Sequence, residues 1–245
     1  MKQTALVTGA ASGLGWVIAE HLASLDYQVL VTDVNQAAAQ QSVDSSQYKA
    51  NMQVYKLDIA QQADFEQILS AIEQQGQRLD VVVNNAAVTK ATPVLQITAD
   101  EFDWVCQVNQ RGTFTACQLF GQFMAKQGDG RIINLSSLAG QNGGTATGAH
   151  YAASKGAIST LTKIFAKQFA ANGVTVNAIA PGPMDSPMVR EVVGEQNLPG
   201  FIRNIPVQQL GSMQFIAETV ALLARPEAAF VTGATWDING GLFMR

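Results

Sequence analysis

Ala5-Leu6-Val7-Thr8-Gly9-Ala10-Ala11-Ser12-Gly13-Leu14-Gly15 is a short apolar run that ends in a glycine-rich turn, and a helical pattern begins inside that turn. Glycine allows a tight turn and close approach of the backbone to a pyrophosphate, whose charge then rests on the free N–H groups of the helix N-terminus. A strand-to-helix turn also uses glycine for purely structural reasons, so the turn takes its meaning from what surrounds it. Outward from it, short β-branched runs recur at residues 5–8, 29–32, 53–55, 81–83, 131–135, 174–179 and 235–238. Between them lie helical patterns over 13–25, 36–46, 61–75, 99–127, 150–171 and 213–223. Runs that are apolar throughout suit strands covered on both faces, which is the condition of a parallel sheet. Strand then helix, repeated with right-handed crossovers, predicts an α/β fold: one doubly wound, seven-stranded parallel sheet.

No internal repeat, low-complexity tract or Pro/Ser-rich linker divides the chain, so residues 1–245 are expected to form one domain. The one long stretch without a clear period is 182–211, which contains Pro183, Pro187, Pro199 and Pro206. A segment of that length in a compact domain is expected to serve as a lid or substrate loop.

Composition removes several classes of function. The chain is 47% hydrophobic and 14% charged, rich in core residues and poor in surface charge for a monomer, so apolar surface is expected to be buried between subunits. A net charge of −4 speaks against nucleic acid as a partner, because phosphate-backbone binders carry a basic stripe. Cys106 and Cys117 fall in one helical pattern, about 16 Å apart at roughly 1.5 Å per residue, too far to bridge. His21 and His150 are the only histidines, no cluster stands at metal-ligand spacing, and no metal is expected. The opening residues show no long apolar region with a cleavage pattern, and no apolar run reaches the roughly 18 residues that span a bilayer. The expectation is a reduced cytoplasmic protein with no membrane partner.

Asp33 ends the second predicted strand, eighteen residues beyond Gly15. An acidic side chain there accepts hydrogen bonds from the adenosine ribose hydroxyls and repels a 2′-phosphate. No Arg or Lys stands beside it, and Trp16 occupies the slot just after the glycine turn. NAD is therefore expected over NADP, although a turn-forming role for Asp33 at a strand end is the structural alternative.

Tyr151 and Lys155 are four apart in a helical pattern, hence on one face about one turn apart. Ser136-Ser137-Leu138-Ala139-Gly140 follows a buried strand at the carboxyl edge of the sheet, where open α/β folds bind ligands. The set suits alcohol oxidation. Hydride transfer leaves a hydroxyl proton to be removed, and a free tyrosine with pKa near 10 is too weak a base at neutral pH. The Lys155 ammonium and a positive nicotinamide would favour tyrosinate, and the Ser137 hydroxyl would hold the substrate oxygen. A strand-end turn serine is the plainer reading of Ser137 taken alone.

Over its whole length the chain resembles the short-chain dehydrogenase/reductase family. The resemblance rests on the turn from Thr8 to Gly15, Asn84-Asn85-Ala86, Asn109, Ser137, Tyr151 with Lys155, and Pro181-Gly182. It implies a Rossmann-type fold, catalytic roles for Asn109, Ser137, Tyr151 and Lys155, and a water held by Asn109 that links Lys155 to solvent. It also implies a cofactor site formed by Gly9, Ser12, Gly13, Leu14, Gly15, Asp33, Asp58, Ile59, Asn85, Ala86, Tyr151, Lys155, Pro181, Gly182, Met184 and Ser186. Asp58 and Ile59 would lie against the adenine, Asn85 and Ala86 on the ribose side, and the Pro181-Gly182 loop at the nicotinamide. Ser186 stands where the family often has a threonine that bonds the carboxamide. Two positions depart from the pattern: Ala87 replaces a glycine, its methyl narrowing the site, and Trp16 is bulky. His150, next to Tyr151, is read as a locally bonded helix-start residue rather than a substrate contact.

The expected activity is NAD-dependent interconversion of a secondary alcohol, 3-hydroxyacyl or similar, and its ketone. The nearest resemblance within the family is to 3-oxoacyl reductases. Arg131 matches a basic position that the carrier-protein-dependent members use, whereas Asn172 stands where they often have a basic residue. The alternatives are an NADPH-type 3-oxoacyl reductase, a polyol or steroid dehydrogenase, and, from a different class, a non-enzymatic dinucleotide-sensing protein on the same fold. Residues 138–149 and Met184, Met188, Val189, Val192 and Phe201 are expected to wall a moderately apolar substrate pocket. Apolar positions beyond one core face on the helices of Asn109 and Tyr151 point, by the resemblance, to a homotetramer, to which the C-terminal residues 239–245 would add a contact.

Overall fold

The structure, a computed structural model, describes residues 2–144, 147–186, 189–190 and 193–244. All seven expected strands form: β1 (Thr4–Thr8), β2 (Gln28–Asp33), β3 (Met52–Lys56), β4 (Val81–Asn84), β5 (Gly130–Leu135), β6 (Val174–Pro181) and β7 (Thr235–Ile238). They pair in parallel in the order β3-β2-β1-β4-β5-β6-β7. In register, Val7 of β1 lies between Val31 of β2 and Val83 of β4.

The alternation of side chains along each strand explains why these runs are apolar throughout. Ala5 and Val7 point into one core layer and Leu6 into the other; Val29 and Val31 oppose Leu30 in the same way. The first layer is closed by α1 (Gly13–Ser24), α2 (Gln36–Ser45) and α9 (Met213–Ala224), which contribute Ile18, Leu22, Val43, Ile216 and Val220. The second is closed by α3 (Gln62–Gln74), α5 (Gly112–Gln127) and α7 (Ala149–Phe169), with Phe65, Ile72, Phe120, Met124 and Phe165. Burying one such side chain is worth roughly 1.5–3 kcal/mol, so both faces of the sheet hold it in place.

The pattern over 99–127 is not one helix. It divides into α4 (Ala99–Cys106), a π-helical turn (Gln107–Arg111) and α5. The wider turn holds Asn109 fully buried, and Gly112 follows it so closely against Ile59 that a Cβ would lie 2.8 Å from the Ile59 carbonyl oxygen. Cys117 is buried, Cys106 half-buried, and both are free. Two short helices escape the periodicity: α6 (Ala139–Asn142) and α8 (Leu198–Arg203). The second lies in the 182–211 segment, and its Pro199 and Gly200 mask it in the sequence. The ends of that segment are tied together by a parallel bridge between Met184 and Gly211, with the Gly211 amide donating to Pro183 O at 2.9 Å and the Asp185 amide to Gly211 O at 2.8 Å.

Candidate active site

The chain leaves β1 and β4 in opposite directions, and between their carboxyl ends opens a cleft of about 1380 Å³. This is the switch point where open α/β sheets take their ligands. Gly9 and Gly13 adopt φ of 64° and 57°. A Cβ on Gly9 would lie 2.7 Å from Ala86 Cα, whereas one on Gly13 would meet nothing within 4 Å, on the side that lines the cleft. Ser12, the N-cap of α1, makes no side-chain cap, so the first-turn amides remain available to an anion. Behind the turn, Thr8 Oγ1 accepts from the Asn85 and Ala86 amides, both at 3.0 Å, and Asn85 Nδ2 donates to the carbonyls of Thr8 and Gly9.

Asp33 is held by two backbone amides: Ala11 N–H donates to Oδ2 at 3.1 Å and Asn35 N–H to Oδ1 at 2.9 Å. Among the described residues the cleft lining has no arginine, and its two lysines, Lys90 and Lys155, stand elsewhere, after β4 and on α7. Trp16 packs against the core and is not in the lining.

Ser137 follows β5, and α7 brings Tyr151 and Lys155 to the same wall. Gly140 permits this: a Cβ there would lie 2.6 Å from Gly156 N, so α6 presses directly on the α7 backbone. Burial raises the Tyr151 pKa, and a hydrogen bond with Ser137 partly opposes the rise. Lys155 is buried, donates to Leu135 O at 2.6 Å, and lies 5.6 Å from the Tyr151 ring centre. Burial brings its pKa down to about 8. Within the protein alone the burial of Tyr151 outweighs what opposes it, and the phenol stands above its ordinary range.

Every residue expected at the cofactor reaches the cleft: Gly9, Ser12, Gly13, Leu14, Gly15, Asp33, Asp58, Ile59, Asn85, Ala86, Tyr151, Lys155, Pro181, Gly182, Met184 and Ser186. Asn109 stands behind the lining, where it clasps Val88 through both of its backbone groups at 2.8 Å and donates to Ser154 Oγ at 3.1 Å. Met184, Val189 and Phe201 join the wall as expected, and Ala87 also lines it; Met188 and Val192 lie outside the described residues. Sequence reasoning missed Thr89, Lys90, Trp104 and Gln107, which also line the cleft. The loop after β4 has no period, so only its position next to the conspicuous Asn84-Asn85-Ala86 could have marked it. Arg131, the basic position that the resemblance singled out, is buried and donates to Asp129, Gly130 O and Gly173 O through Nη1. Among the described residues no three His, Cys, Asp or Glu gather as a metal site, and no helix is long and apolar enough to cross a membrane.

A glycine turn at the switch point of a parallel sheet, a clamped acid at the end of β2, and a Ser-Tyr-Lys wall define the class: a dinucleotide-binding oxidoreductase fold. The chain belongs to the short-chain dehydrogenase/reductase family, whose members use a nicotinamide dinucleotide. The family model described as enoyl-(acyl carrier protein) reductase matches residues 9–243. The chain is 35% identical over 242 residues to a 3-oxoacyl-(acyl-carrier-protein) reductase of Escherichia coli, covering 98% of this chain and 97% of that one. It is 33% identical to the enzyme of that description from Staphylococcus epidermidis, over 100% of both chains. Among solved structures it is similar to a protein from Agrobacterium tumefaciens assigned as a gluconate dehydrogenase, with a TM-score of 0.92, 26% identity, and coverage of 98% of this chain and 95% of that one.

Proposed function

We propose that the protein is an NAD-dependent dehydrogenase that interconverts a small secondary alcohol, a 3-hydroxyacyl or hydroxy-acid compound, and its ketone. The observation that carries this reading is the convergence of Ser137, Tyr151 and Lys155 on one wall of a cleft whose far end holds Asp33. The α1 turn and its uncapped amides suit a pyrophosphate, and Gly13 leaves the space that a side chain would fill. Asp33, fixed by two amides, suits a free ribose and disfavours a 2′-phosphate. When bound, the nicotinamide supplies the hydride acceptor or donor and, oxidised, a positive charge.

Tyr151 takes the hydroxyl proton during oxidation and returns it during reduction. Its pKa stands raised by burial, so the phenol needs a nearby positive charge to serve as a base at neutral pH. Lys155, poised near 8, supplies one below that pH and passes protons on above it. Ser137 orients the substrate oxygen and stabilises the charge that develops on it. Asn109 holds the Val88 backbone and the Ser154 hydroxyl, and through them the wall that faces the substrate.

The named relatives favour a second reading, an NADPH-dependent 3-oxoacyl reductase acting on a carrier protein. Asp33 and the buried Arg131 argue against both halves of it. We further infer a homotetramer: Phe102 on α4, Phe114 on α5 and Ile164 on α7 expose apolar surface that a neighbouring subunit would cover.

The test follows absorbance at 340 nm with both dinucleotides and a panel of hydroxy acids, hydroxyacyl thioesters, polyols and steroids. Turnover with NAD and loss of turnover in Tyr151→Phe with dinucleotide binding intact are expected. Full activity in that variant would remove Tyr151 from its role.

A further inference from the structure

Immediately behind the tyrosine lies an acid–base pair, its histidine buried, that the reading above leaves unused. The His150 side chain has no exposed surface. Its Nδ1 accepts the backbone N–H of Tyr151 at 2.8 Å, and its Nε2 lies 2.8 Å from Glu101 Oε1. A ring nitrogen that accepts carries no proton, so the imidazole is neutral and its one proton, on Nε2, is donated to the carboxylate. Glu101 remains ionised: hydrogen bonds from Thr92 and His150, and then the charge of Lys90, hold its carboxyl below the usual range.

Both residues occupy the first turns of helices. Tyr151 is the third residue of α7, whose N-cap, Gly148, has no side chain, so the Tyr151 amide is one of the orphan donors of a helix start. The imidazole satisfies it from the side. Glu101 is the third residue of α4, where its amide is capped by Thr98 at 3.2 Å. Its carboxylate, which in a capping box would turn back to the N-cap amide, is turned out to His150 and Lys90 instead. The Gly148 amide donates to Lys90 O at 2.9 Å, and a Cβ on Gly148 would collide with the imidazole and lie 2.6 Å from that carbonyl. Glycine at 148 thus makes room for this contact.

We propose that Glu101 and His150 are positioning residues for the reaction: the carboxylate anchors the imidazole, and the imidazole fixes the first turn of α7 and with it the Tyr151 phenol. Neither touches substrate; neither is in the cleft lining. The proposal rests on Tyr151 as the proton-transfer group, which the Tyr151→Phe test decides separately.

Four variants decide it: Glu101→Ala, His150→Leu, the double variant, and Glu101→Gln. Each of the first two is expected to lower kcat about tenfold, since sub-ångström misplacement of a reacting group carries penalties of this order, while dinucleotide Kd and substrate KM stay within about twofold. The double variant is expected to be no worse than the worse single, because both cuts sever one chain of contacts. Glu101→Gln keeps an oxygen for the Nε2–H and is expected to recover most of the rate. For alcohol oxidation the acidic limb of the kcat/KM pH profile, where the phenol holds its proton and cannot act as base, is expected to move in Glu101→Ala and to stay in Glu101→Gln, because a displaced phenol meets a different field from Lys155. Glu101 lies at the protein surface side of the pair, so Glu101→Ala and Glu101→Gln decide the matter even where His150→Leu does not fold. Variants that melt earlier but keep the wild-type kcat and pH profile per folded protein, or a double loss equal to the product of the singles, would overturn the proposal.

Discussion

Lys155 predicts an unusual dependence of stability on pH. Burial brings its pKa from 10.5 down to about 8. At about 1.4 kcal/mol per pH unit, holding this charge in the folded protein costs roughly 3 kcal/mol at neutral pH relative to an ordinary lysine. The sign follows from proton counting. Below about 8 both folded and unfolded chains are charged and the whole cost is present. Above it the folded protein releases the proton while the unfolded chain keeps it, so stability rises with pH. From about pH 7 to about pH 9.5 the gain is roughly 2 kcal/mol. Tyr151 acts the other way, because its raised pKa keeps a proton in the fold that the unfolded chain loses above about pH 10, so the useful window closes there. The assay is urea unfolding of wild type and Lys155→Met, followed by tryptophan fluorescence at one protomer concentration across that window. The difference in unfolding free energy is expected to grow in favour of wild type by roughly 2 kcal/mol as pH rises. Two parallel curves would refute the claim that the buried ammonium is held against its desolvation.

Asp33→Ala should raise the ratio of kcat/KM for NADP over NAD by tenfold or more, since removing a fixed like charge from a 2′-phosphate is worth several kcal/mol; wild type that already uses both equally would sink the specificity argument. Asn109→Ala leaves both backbone groups of Val88 without their partner and should cost about 2–6 kcal/mol in urea unfolding, at about 1–3 kcal/mol for each orphaned group; a loss below about 1 kcal/mol would contradict it. Light scattering at micromolar concentration should return about four times the protomer mass of 26.1 kDa, and a solution of protomers alone would rule out the assembly.

The sheet could be read from the chain because its strands, such as Val81-Val-Val83, are apolar on both faces, a pattern that few structures other than a covered parallel sheet tolerate. The site followed, since residues at carboxyl strand ends of such a sheet share one edge. Where local pattern ceased to govern, reading failed. The π-helical turn at Gln107–Arg111 keeps the apolar spacing of its neighbours, and the inward turn of Asn109 answers to Val88 and Ser154, residues remote in sequence. Arg131 has the residue type of a surface anchor, yet carbonyls from Gly130 and Gly173 enclose it. The helical pattern puts His150 at a helix start, but its partner Glu101 is 49 positions away and nothing in the spacing announces it.

The tie between Met184 and Gly211 has a consequence for how such a protein diversifies. Because entry and exit of the intervening stretch are fastened side by side, its interior could be lengthened, shortened or rewritten without moving β6 or α9. Hydride chemistry would stay with the rigid frame while the choice of alcohol passes to an exchangeable insert. Grafting that insert from a homologue is therefore the direct way to retarget the enzyme.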